Sequence, residues 1–134
     1  MDAVLGGFHH VKLPVSDIRR SLEWYQRVLG LRVAIEFTEE GVLAGVALSD
    51  PGGTVELALR RDPERAAAVA GFDPVALRVP AAGALRAWQR RLDGLGEPHG
   101  GVVTGHAGSV LTGLRDPDGI EIRLYHPAGP EGGS

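Results

Sequence analysis

The chain has 134 residues, a net charge of −3 with both signs mixed, and no cysteine. That length holds one domain or two very small halves. The mixed charge marks no face for nucleic acid or an anionic membrane, and the lack of thiols excludes disulfides, thiolate metal sites and cysteine nucleophiles. A 43% hydrophobic content supplies a core. No run approaches the ~20 apolar residues of a membrane helix. The opening MDAVLGGFHH carries no basic, apolar leader, so a cytoplasmic protein is expected.

The first predicted element is a strand in which Val11, Leu13 and Val15 alternate with polar or restricted neighbours. A helix follows over SDIRRSLEWYQRVLG. Ser16 or Asp17 is its N-cap, Gly30 its stop, and Ile18, Leu22, Tyr25 and Leu29 form one apolar face. Three strands come next, LRVAIEF, VLAGVAL and TVELAL, the last two joined by a DPGG turn at 50–53. Residues 61–73 form a linker with room for a short helical turn.

The chain then repeats itself. Shifted by 64 positions, Val11, Leu13, Val15, Trp24, Arg27, Gly30 and Leu31 fall on Val75, Leu77, Val79, Trp88, Arg91, Gly94 and Leu95. The second copy reads strand, helix from Pro80 to Gly94 or Gly96, then GGVVT, SVLTGL and IEIRLY, with a DPDG turn at 116–119. The expected fold is therefore α+β. Two βαβββ modules, 8–60 and 74–126, form a cupped mixed sheet around a cavity, followed by a flexible tail over 127–134. Both tryptophans, at matched helix positions, are expected in the core or in helix–sheet packing.

Period-two alternation assigns faces. With Val11, Leu13, Val15, Val55, Leu57, Leu59, Ile120, Ile122 and Leu124 under the helices, the open faces carry His10, Lys12, Glu56, Arg78, Glu121, Arg123 and Tyr125. Charges gathered on a concave surface are costly unless paired or used, so these seven are the candidate site. His9, of opposite parity, is read as structural or solvated. His99 and His106 are read as surface-loop residues, and His126 as closing the last strand.

The HHVKLPVSDIRRSLEWYQRVLGL opening, the βαβββ repeat and the RDPDGIEIRLY ending resemble the vicinal oxygen chelate superfamily. Its members include glyoxalase I, extradiol dioxygenases and bleomycin-resistance proteins. The resemblance implies four metal-ligand positions, which fall here on His10, Glu56, Pro74 and Arg123. Proline brings no side-chain ligand and arginine stays cationic. No metal is therefore expected, with His10 and Glu56 as residual ligand positions and Arg123 standing in for the metal's charge.

The expected function is metal-independent binding of a small polar or anionic metabolite or natural product. Arg123, Lys12, Arg78, Glu121 and Tyr125 contact the ligand in a homodimer with no nucleic-acid or membrane partner. One alternative is a metal-free isomerase, epimerase, cyclase or lyase with His10 and Glu56 as acid and base and Arg123 as anion clamp. The other is a divalent-metal enzyme in which Glu121, Asp73 or a loop histidine completes the ligand set.

Overall fold

A computed structural model describes residues 1–127. Within it, strand β1 (Val11–Val15), helix α1 (Ile18–Leu29) and strands β2 (Arg32–Glu39), β3 (Val42–Ser49) and β4 (Glu56–Arg61) form the first module. Helix α2 (Pro63–Val69) fills the linker. Strand β5 (Val75–Arg78), helix α3 (Ala82–Leu95) and strands β6 (Gly101–Gly105), β7 (Gly108–Thr112) and β8 (Ile122–Pro127) form the second. The sheets have matching orders, β1-β4-β3-β2 and β5-β8-β7-β6. In each, the first and last strands run parallel and the rest antiparallel. His126 and Pro127 belong to β8, and the remainder of the expected tail lies outside the described residues.

Local chemistry accounts for the helix ends. Asp17 accepts from the Arg20 N–H at the start of α1, and Gly30 ends the helix at φ 71°, its N–H reaching back to the carbonyl of Gln26. In α3 the left-handed stop is Gly96, not Gly94. The second helix therefore runs 14 residues against 12, and the 64-residue register that matches the starts of the helices slips by two at their ends. Asp62 caps α2, with Pro63 in its first turn.

Most helix-side residues read from the alternation are buried: Leu13, Val15, Leu57, Leu59, Val75, Ile122 and Leu124 join Trp24, Tyr25, Leu85 and Leu92 in one core that runs through both modules, with Val11, Val55 and Leu77 partly buried against it. Several polar contacts tie the modules together. Tyr25 Oη donates to Asp116 Oδ2 at 2.8 Å. The Ser16 N–H donates to Asp118 Oδ2, and Trp24 Nε1 to Glu97. Arg91 caps the end of α1 by donating to the carbonyls of Val28 and Arg27 at 3.0 and 2.8 Å. No helix among the described residues is long and apolar enough to cross a membrane.

Candidate functional site

The repeat is not symmetric in its chemistry, and the difference opens a cavity. In the first copy, the end of β1 and the side of α1 are closed by the β7–β8 turn. Asp116 takes the Tyr25 hydroxyl, and Asp118 takes the Ser16 N–H and the Arg20 guanidinium. At the matching positions of the second copy, Tyr25 becomes Gln89, Asp118 becomes Gly52, and Ser16 becomes Pro80, which has no N–H to give. Asp50 spends its carboxylate inside its own turn, on the Thr54 hydroxyl and the Val55 N–H. The second junction is left unfilled. A cavity of about 940 Å³ lies there, bounded by Asp50, Thr54, Pro80 and Trp88.

Its wall is largely apolar: Leu29, Leu31, Val55, Leu57, Val75, Leu77, Val79, Trp88 and Leu124, with the free edge of β5 along one side. Polar groups gather at the N-terminal ends of β1 and β4, where His9, His10 and Glu56 line the mouth beside the exposed ring of Phe8. Arg78 lines the cavity from β5.

Of the seven open-face candidates, His10, Glu56 and Arg78 line this cavity, whereas Lys12, Glu121, Arg123 and Tyr125 do not. Much of the cavity wall (Val11, Val55, Leu57, Val75, Leu77 and Leu124) comes from the side of the strands that alternation put under the helices, not from the open faces. Alternation could not say that the cavity sits at the seam between modules and not over the centre of both sheets. Lys12 is exposed beside Ala58, and the Tyr125 hydroxyl donates to the Ala107 carbonyl. Trp88 packs against the core, as expected, and also lines the cavity, with the Arg91 guanidinium 5.7 Å from the centre of its ring.

Arg123 has other partners than expected. Its Nε donates to Glu121 at 2.7 Å, and Nη1 lies 3.2 Å from Asp73. Its charge is thus balanced twice within the second module and is not paired with Glu56 among the described residues. The Arg123 hydrogen bond, with a further one from the Gly113 N–H, holds the Glu121 carboxyl below the usual range despite burial. Strand register also revises the placing of Arg123. Val11 lies beside Leu57 and Val75 beside Ile122, so one residue back Glu121 occupies the place in the second module that Glu56 has in the first. Glu121 and Asp73 are both paired with Arg123, and among the described residues neither joins the cluster that His10 and Glu56 form.

The ligand-capable partner is His9. Its Nδ1 stands 2.8 Å from His10 Nδ1 and 3.6 Å from Glu56 Oε2, and one donor atom from each of the three lies within 4.8 Å of the others. His9 precedes β1, so strand parity does not govern where its ring goes. The visible sequence signal was the His9–His10 doublet itself. His99 is a structural residue, joined to Asp93 and accepting from the Gly101 N–H, and neither it nor His106 lines the cavity.

A family model described as the Glyoxalase/Bleomycin resistance protein/Dioxygenase superfamily matches residues 7–124. Among curated proteins, MhqA of Bacillus subtilis (strain 168), named as a ring-cleaving dioxygenase, is 28% identical over 129 residues. That match takes in 90% of this chain but 40% of MhqA, so the chain spans well under half of that relative's length. A glyoxylase/bleomycin resistance protein/dioxygenase domain from Frankia superposes with a TM-score of 0.75 at 21% identity, covering 95% of this chain and 96% of that one. TnmS3, an antibiotic-binding protein from Streptomyces, superposes with a TM-score of 0.68 at 18% identity, covering 92% and 99%. These structural likenesses concern the fold.

Proposed function

The chain belongs to the glyoxalase/bleomycin resistance protein/dioxygenase superfamily, and from that premise we propose that it binds a small organic molecule in the seam cavity. The ligand would be a metabolite or natural product with an apolar body and one polar or anionic end. The observation that carries this reading is the cavity itself. Its volume of about 940 Å³ is at the upper end of what drug-sized ligands occupy. Its leucine and valine wall with Trp88 suits a ring or chain, and its few polar groups, His9, His10, Glu56 and Arg78, suit one oriented head. TnmS3, named as an antibiotic-binding protein, supports the natural-product class.

Trp88 makes the test direct. A Trp24→Phe variant leaves Trp88 as the sole indole, and titration with aromatic and aliphatic carboxylates and natural products should quench or shift its emission saturably. If no compound changes that emission or raises the melting temperature, the cavity is not a ligand site.

A second reading is favoured by the donor set. Ligand atoms about 2.1 Å from one ion stand no more than about 4 Å apart, so modest rotation of the exposed His9 and His10 rings would let them and Glu56 hold a divalent cation. Such an ion would supply Lewis acidity to a bound oxygen. Both imidazoles and the carboxylate come from one module, which leaves the other coordination positions facing the cavity. Equilibrium dialysis against manganese, zinc and nickel tests this. Retention near one equivalent that is lost in Glu56→Gln and His9→Ala supports it, and no retention removes it.

A homodimer is the proposed assembly. Ile35 and Phe37, on the edge strand β2, are about half exposed. Light scattering giving a monomer mass at working concentration would contradict it.

A further inference from the structure

The helix-facing side of the second sheet changes character at one end. Val102 and Leu111 pair across the strands and, with Leu124, pack in or against the core. The next row on that face is Thr104, Ser109 and His126. The Thr104 and Ser109 hydroxyls lie 2.9 Å apart. One strand further in, His126 Nδ1 is buried with no hydrogen-bond partner among the described residues.

Helix α3 answers this row with polar groups. Arg86 and Gln89 lie against it across a niche of about 280 Å³. The repeat shows that these are not default residues for the helix. Their counterparts in α1 are Leu22, packed on the core, and Tyr25, fully buried. Among the described residues no carboxylate lines the niche, and Arg86 takes part in no ion pair. The niche is separate from the seam cavity: α3 presents Trp88 to the one, and Arg86 and Gln89 to the other.

From this juxtaposition we infer that the niche between α3 and the β6–β7 hairpin is a second binding site, for a small oxyanion of the phosphate class. A guanidinium pairs with two oxygens of such an anion through its planar fork. The Gln89 amide donates to a remaining oxygen, and so does one of the two hydroxyls, the hydrogen of the other being used in the bond between them. Among the described residues the site has one cation and no opposing carboxylate, which favours a singly or doubly charged anion over a neutral ligand.

The test titrates inorganic phosphate into the whole protein and follows binding by calorimetry, with methyl phosphate as a second probe. Saturable one-to-one binding is expected, weakened about tenfold or more in Arg86→Gln and weakened also in the Thr104→Val/Ser109→Ala pair. Arg86 is exposed, so its replacement leaves the fold intact, and a far-ultraviolet spectrum verifies this. Binding of methyl phosphate as well as phosphate would show that the niche accepts an esterified phosphate, and binding of phosphate alone that it takes only the free anion. Non-saturable uptake, or equal affinity in Arg86→Gln, would overturn the assignment.

Discussion

Replacing Tyr25 with phenylalanine removes one oxygen from the seam between modules. The Tyr25 side chain is fully buried and Asp116 is nearly so. The hydroxyl donates to Asp116 Oδ2 at 2.8 Å, while Oδ1 is held by the N–H groups of Asp118 and Ile120. Burial pushes the Asp116 carboxyl above its ordinary range, and the hydrogen bonds from Tyr25 and the two backbone groups draw it only part of the way back. A buried hydrogen bond to a charged acceptor contributes about 1.5–3 kcal/mol, and phenylalanine brings nothing to Oδ2, so the expected loss near pH 7 is about 2–3 kcal/mol. At a urea slope of about 2 kcal/mol per molar, the midpoint falls by about 1 M.

The sign of the pH dependence follows from linkage. Folding raises the pKa of Asp116, so the folded state holds the proton more tightly than the unfolded one. The contribution of Asp116 is therefore most favourable below its unfolded pKa and is lost as pH rises through the folded value. Tyr25 offsets that loss by donating to the ionised form. The cost of Tyr25→Phe should accordingly be larger near about pH 7 than near about pH 4, measured by urea unfolding of both proteins at each pH. An equal loss at both, or no shift in midpoint, would show that Tyr25 does not stabilise an ionised Asp116.

Three further outcomes follow from the second module. Arg123→Gln removes the donor that holds the Glu121 carboxyl low. Stability from Glu121 is present above its unfolded pKa and lost as pH falls through the depressed folded value, so this variant should begin acid unfolding at higher pH; an unchanged acid transition would contradict the pairing. Gly113→Ala places a side chain at φ 74° with its Cβ 2.7 Å from the backbone nitrogen of Gly100, which should cost at least about 1–3 kcal/mol. Gly83→Ala meets open space in α3 and should instead gain about 0.5–1 kcal/mol; thermal unfolding of the two side by side checks the contrast.

Much of the architecture is local and so was written in the chain. Alternation at Val11–Val15 and Val75–Val79, the glycine stops, the two DP turns and the matched tryptophans determine two βαβββ modules. They also determine which face of each strand lies under a helix, because a side-chain period of two leaves no other choice once one face is apolar. What the alternation cannot supply is contact between distant residues. That Arg123 meets Asp73 and Glu121, and not Glu56, depends on how far β8 slides along β5, which the spacing after the DPDG turn did not reveal. His9 precedes its strand, so its approach to Glu56 depends on the path of the chain into β1. The cavity itself arises from a comparison that only packing makes physical. At one junction Tyr25, Asp116, Asp118 and the Ser16 N–H close the gap between modules. At the other, Gln89, Gly52 and Pro80 lack the reach, the charge and the donor to do so.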